Sequence, residues 1–312
     1  CTQRRYCFKV ESAAHERGRM MVRGTSRKGK AYIVHPTDFQ LAARRAFFHA
    51  VKLASVLDRQ LKIVHVIKTP VDRPAVPRHS RYLHSLRTSA LLALGRLTRT
   101  AKEAGAPAEP LLLYGEPSLS ILHTVKQTGA SLVVMGTEGR TGWDRLRLGS
   151  TAETLVRKAP CPVLSVHAGL AGDLPRHSAR VRLGRLLLAT DFSPYADAAL
   201  RLLCDLAVNL DASVSVFHVS GRSSERKHAE LLVAKRIHAL RHHQIEAEGL
   251  CVVGDAVEAI FAQAAAWRAD LIAVGTRQAR GLSRLTLGSV AEALLKRAGC
   301  PVLTVGRTSL HG

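Results

Sequence analysis

An apolar run ending in Met135 is followed by Gly136-Thr137-Glu138-Gly139-Arg140, then by Gly142, and then by Gly149-Ser150-Thr151 at the head of a segment running on through Leu155. Glycine lets main chain approach an anion with no Cβ in the way, and a helix N-terminus offers unpaired N–H groups and a favourable dipole. Two glycines closing a strand, a third opening the next helix and hydroxyls after it form a cradle for phosphate. Arg140, Arg145 or Arg147 would supply charge there. The structural alternative is that Gly136 and Gly139 shape a tight turn and Ser150 caps a helix. No G-x-x-x-x-G-K-[ST] occurs, and no G-x-G-x-x-G follows the first strand. Dinucleotide oxidoreductase chemistry is therefore disfavoured.

A second group closes an earlier apolar run, Pro36-Thr37-Asp38-Phe39. The Asp38 carboxylate is suited to accept from a ribose hydroxyl or an adenine amino group; its alternative role is a helix N-cap. His65 and Val66 end another apolar run. A lone histidine there reads as a core residue rather than a catalytic base, while the main chain of Val66 could meet a base edge.

These groups recur. Asp38 and His65-Val66 return 153 residues later as Asp191 and His218-Val219; Gly136, Gly149, Ser150 and Cys161 return 139 residues later as Gly275, Gly288, Ser289 and Cys300. The second repeat is 14 residues shorter, and the loss falls between the second strand and the end of the third. Ser193-Pro194 already makes a helix start, so Asp191 is not needed as a cap. Gln278 and Ala279 stand where the first repeat has Gly139 and Arg140, which puts the second phosphate site in doubt.

Elements that position these residues follow from periodicity. In the first repeat, strands are expected near 31–37, 61–67, 109–114, 131–136 and 162–166, with helices near 40–58, 79–104, 117–128 and 149–158. Near-continuous apolar strands separated by amphipathic helices call for a parallel sheet covered on both faces, and right-handed crossovers make it doubly wound. Ligands then sit beyond the strand C-termini where the winding reverses, at the first and fourth strands. Domains are expected over 30–168 and 183–312, joined by a linker from Ala168 to Arg182, after a basic, disordered extension over 1–29.

The formal net charge of +22 favours polyanions, but aromatic residues are only 4% of the chain, so stacking platforms for single strands are lacking. A solvated arginine-rich surface accounts for the charge; nucleic-acid association is the alternative. No apolar run reaches about 20 residues, and neither a membrane span nor a membrane partner is expected. Six cysteines show no C-x-x-C pair or zinc spacing, which fits a reducing cytoplasm.

The strand end Pro36-Thr37-Asp38-Phe39, the pair His65-Val66 and the spacing Gly136-x2-Gly139-x9-Gly149-Ser150 resemble the nucleotide-binding branch of the universal stress protein family, over nearly all of residues 30 to 306. The resemblance implies a Rossmann-like, adenine nucleotide alpha hydrolase-like α/β fold: two tandem doubly wound parallel five-stranded sheets of strand order 3-2-1-4-5. It implies ATP as ligand, with or without Mg2+. Asp38 and the main chain of Val66 would hold adenosine beside Pro36 and Thr37, Met135-Gly136 would line the ribose, and Gly139, Arg140, Gly149, Ser150 and Thr151 would hold phosphates. Asp191, Val219, Gly275, Gly288 and Ser289 would do the same in the second repeat. The fifth strands would pair the repeats as a pseudo-dimer, with a further homodimer left open. The implied role is a stress-response regulator; the alternatives are a slow ATPase or nucleotidyl transferase, for which no carboxylate pair or placed base is found, and a basic nucleic-acid-associated protein.

Overall fold

The computed structural model describes residues 31–68, 81–137, 148–168, 178, 181–276 and 287–306. The expected basic extension, most of the expected linker, and the loop carrying Gly139 and Arg140 with its counterpart carrying Gln278 lie outside the described residues.

In the first half the order is β1 (Tyr32–Pro36), α1 (Leu41–Val56), β2 (Gln60–Ile67), α2 (Arg81–Glu103), β3 (Ala108–Tyr114), α3 (Pro117–Thr128), β4 (Leu132–Gly136), α4 (Ser150–Lys158) and β5 (Val163–Val166). The second half repeats it as β6 (Arg185–Ala189), α5 (Pro194–Leu210), β7 (Ser213–Ser220), α6 (Arg226–His242), β8 (Ala247–Val253), α7 (Ala256–Ala266), β9 (Leu271–Gly275), α8 (Ser289–Arg297) and β10 (Val302–Val305). Every element expected in the first half lies within about two residues of its place, because apolar runs bounded by Gly, Pro and Asp mark both kinds of end. The shortening of the second repeat falls on α6, 17 residues against 23 in α2, and on the connection before it.

Strand order is β3-β2-β1-β4-β5-β10-β9-β6-β7-β8, so each half has the order 3-2-1-4-5. Within each half the strands are parallel; β5 and β10 run antiparallel, pairing Ser165 with Val302, Leu164 with Leu303 and Val163 with Thr304. Thr304 Oγ1 donates to the Val163 carbonyl across this seam at 3.2 Å. The expected pair of five-stranded sheets is thereby one sheet of ten strands.

Because both faces are covered, β1, β4, β5 and β10 are buried almost throughout. One core packs α1, α2, α5 and α6 against the sheet, the other α3, α4, α7 and α8. Both run through the seam, with Leu164 and Leu303 in the first and Val163 and Val302 in the second. Each fully buried Leu, Ile or Val contributes about 2 kcal/mol. The two halves therefore share their hydrophobic stabilisation.

Candidate functional site

Strand β1 stops at Pro36 while its neighbours go on. Its last ladder bond is Thr37 N–H to the Val64 carbonyl at 2.8 Å, and the register with β2 ends at Pro36 opposite Val64. In a parallel sheet, alternate residues direct N–H and C=O to alternate neighbours. Val64 faces β1, so Val66 faces the same way, beyond the point where β1 has ended. On the other side Val133 and Thr137 donate to carbonyls preceding and ending β5. Gly136 therefore directs its main chain toward the place β1 would have occupied. A crevice remains, flanked by main-chain donors and acceptors of Val66 and Gly136. In the second half Thr190 N–H donates to the Phe217 carbonyl at 2.9 Å, and Val219 and Gly275 are left in the same relation.

The chain leaves the crevice through a braced turn. Thr37 Oγ1 accepts from Phe39 N–H at 3.0 Å and Asp38 Oδ1 from Gln40 N–H at 3.0 Å. Phe39 takes φ 65°, the left-handed region unusual for a bulky side chain, and its ring lies 4.4 Å from that of His65. A carbonyl only accepts, so His65 Nδ1 carries the proton in its 2.7 Å bond to the Thr37 carbonyl. The same set recurs with Thr190, Asp191, Phe192 (φ 60°) and His218. The histidines thus hold the Thr-Asp-Phe turn that presents the carboxylate, a role sequence reasoning missed. Asp38 is not the N-cap of α1; Gln40 is, with no capping side chain. Asp191 precedes Ser193, whose Oγ caps α5 by accepting from Ala196 N–H.

Helices α4 and α8 begin on Gly149 and Gly288, and neither has a side-chain cap. Their first-turn N–H groups have no acceptor within the helix. Both glycines have φ near −60°, open to any residue, and a Cβ on Gly288 would meet no described atom within 4 Å. Among the described residues, neither backbone conformation nor packing requires glycine at Gly288. Gly149 N–H donates to the Thr137 carbonyl at 2.9 Å, which ties the start of α4 to the end of β4. Ser150 and Ser289 are exposed beside this rim and Thr151 is half-buried.

Two of the expected site residues have packing roles. The Met135 side chain is buried in the core, which leaves its main chain for any contact at the strand end. Gly136 has a steric reason to be glycine: a Cβ there would lie 2.6 Å from main-chain atoms of Ala42 and Ala43, and one on Gly275 2.5 Å from Ala196 N. The first turns of α1 and α5 fill that space.

Three further residues carry no sequence signal of their role. Pro36 is buried and has no N–H to give the Val134 carbonyl; His35 Nδ1 makes that bond instead, at 2.8 Å. Burial pushes the His35 imidazole down to about 4. At the end of β4, His167 Nδ1 lies 2.9 Å from Thr137 Oγ1, and burial lowers its pKa too. Gly306 occupies the equivalent place, where Thr276 Oγ1 donates to the Val305 carbonyl as Thr137 Oγ1 does to that of Val166. Among the described residues no three of His, Cys, Asp or Glu are grouped to hold a metal ion. Cys161 and Cys300 are free and buried, with thiols pushed up to about 12.

Comparison with known proteins agrees with this architecture. The model of the universal stress protein family matches residues 32–167 and again 183–306. A universal stress protein of Mycobacterium tuberculosis is 26% identical over 271 residues, covering 80% of this chain and 88% of its own length. One from Methanocaldococcus jannaschii is 33% identical over 136 residues, 43% of this chain and 80% of its own. The crystal structure of a universal stress protein from Archaeoglobus fulgidus superposes with a TM-score of 0.72 at 23% identity, covering 88% of this chain and 98% of that one, which shows the shared fold. With two matched regions in succession, the chain belongs to the universal stress protein family as a tandem member.

Proposed function

We propose that the chain binds an adenine nucleotide, ATP, in the crevice of its first half, and that occupancy of this crevice governs its action as a stress-response regulator. The observation that carries the reading is the unladdered main chain where β1 stops. An adenine edge pairs a ring-nitrogen acceptor with an amino donor, and Val66 offers an N–H and a C=O directed into the crevice. The Asp38 carboxylate stands at the end of β1, where a ribose hydroxyl or the amino group would donate to it. Oδ2 of Asp38 accepts no bond among the described residues. The bare start of α4 suits the phosphates, since its N–H groups and dipole favour an anion.

The second crevice shares the strand ends and the bare helix start, but Gln278 stands where the first half has Gly139. Glycine leaves main chain open to a phosphate and glutamine does not, which is the reason to assign the ligand to the first half. The proposal is therefore about one ATP per chain, held by the first half. Mass spectrometry of nucleotide released from the purified chain tests it. Gly139→Gln should empty the chain while leaving its melting temperature without ligand unchanged; equal retention by that variant would remove the asymmetry, and no nucleotide in either protein after incubation with excess ATP would remove the proposal.

A further inference from the structure

The two helices that join the second and third strands of each half carry an arrangement that nucleotide binding leaves unused. On α2 the buried row is Ala90, Leu94, Thr98 and Ala101, and at 3.6 residues per turn the position directly opposite is Leu92, 58% exposed. On α6 the buried row is Ala229, Val233 and Leu240, and the position opposite is Leu231, 63% exposed. Each outermost residue is thus a leucine. Each is also set among cations within one or two turns along the same stripe: Arg96 and Arg99 beyond Leu92, Lys227 and Lys235 on either side of Leu231.

These four cations are exposed, and none makes an ion pair among the described residues. Other cations on both faces of the sheet are paired: on α6 itself Arg226 with Glu230 at 2.8 Å and Arg236 with Asp197 of α5, and on the opposite face Arg157 with Glu153 at 2.8 Å, Lys296 with Glu292 at 2.7 Å and Arg297 with Glu258 at 3.0 Å. The unpaired cations of α2 and α6 named above are the ones that flank a protruding leucine.

We infer that the outer faces of α2 and α6 are docking surfaces for an anionic lipid bilayer. Cations around the leucine meet headgroup phosphates, and the leucine enters the boundary between headgroups and acyl chains. A nucleic-acid duplex would use the same cations, but an apolar side chain at the apex gains little against a phosphate backbone. The bilayer uses both. The expectation of no membrane partner rested on the lack of a spanning segment, and among the described residues no helix is long and apolar enough to cross a membrane. Docking on a surface requires none.

The test is sedimentation of the full chain with extruded vesicles at low ionic strength. Vesicles of equal parts phosphatidylglycerol and phosphatidylcholine should carry the protein down, pure phosphatidylcholine should not, and raised salt should release it. Leu92→Gln with Leu231→Gln, both exposed and without effect on folding by circular dichroism, should weaken partitioning about tenfold or more. Replacing Arg96, Arg99, Lys227 and Lys235 by Gln should abolish it. Failure of the parent to sediment with anionic vesicles overturns the inference, as does full binding by the leucine variant. A short DNA duplex that displaces the vesicles, and is held equally well by the leucine variant, would assign the surface to nucleic acid instead.

Discussion

Between β1 and β4 the ladder holds two residue pairs, whereas its counterpart between β6 and β9 holds four. One missing N–H separates them. Pro36 stands where the second half has Ala189, and His35 where it has Leu188. In the second half, main chain completes the ladder and an aliphatic side chain fills the core. In the first, an imidazole bonded to the Val134 carbonyl replaces the lost donor and is buried against Phe47 as a neutral group. The two halves are alike in topology and differ in what can undo them: the repair in the first half places an ionisable ring where a proton is not tolerated.

What both halves share should show the largest effect. Gly136→Ala and Gly275→Ala each set a methyl against the main chain of a helix start, with a cost of roughly 3 kcal/mol or more and similar in the two halves. Urea unfolding measures it, and a cost under about 1 kcal/mol at either position would mean that α1 or α5 yields. The next effect separates the halves. The folded pKa of His35, about 4, lies below the unfolded value near 6.5, so the unfolded chain takes up the proton first. His35 contributes almost no pH dependence above about pH 7.5, and it lowers stability as pH falls from there toward 4, by about 2 kcal/mol at pH 5. His49 and His167 are shifted in the same direction by burial and add to the slope.

Installing the second half's solution, His35→Leu with Pro36→Ala, should remove the His35 share while preserving stability at neutral pH. His35→Leu alone should cost about 1–3 kcal/mol at neutral pH, because the Val134 carbonyl is left buried without a donor. Denaturant titrations at pH 7 and pH 5 distinguish these outcomes; an unchanged acid slope in the double variant would place the acid sensitivity elsewhere. The smallest effect concerns the helix starts. Ser193 caps α5 and Gln40 gives α1 no side-chain cap, so Ser193→Ala should cost about 1 kcal/mol and Gln40→Ala only a few tenths. Thermal unfolding of the pair checks the order.

Apolar runs and turn residues were enough to place every element of the first half, and the repeat offsets carried its strand-end motifs into the second. The strand ends that carry Asp38 and Val66 and the helix start at Gly149 were legible because turn residues close the apolar runs there. The packing reason for glycine at Gly136 was hidden, since it is a helix that crosses the strand tip about 95 residues earlier in the sequence, which local pattern does not report. The repair of Pro36 by His35 depends on the carbonyl of a strand about 100 residues away. The left-handed Phe39 is hidden for the same reason, as the ring and carbonyl that hold its turn in place come together only in the fold. Residues whose purpose is to satisfy a distant neighbour look ordinary in one dimension.

The antiparallel meeting of β5 and β10 sets the geometry of anything that engages both halves. All strands of one half run opposite to those of the other, so the two crevices open on opposing rims of the common sheet. Two ligands seated in the two crevices would therefore approach the sheet from opposite edges.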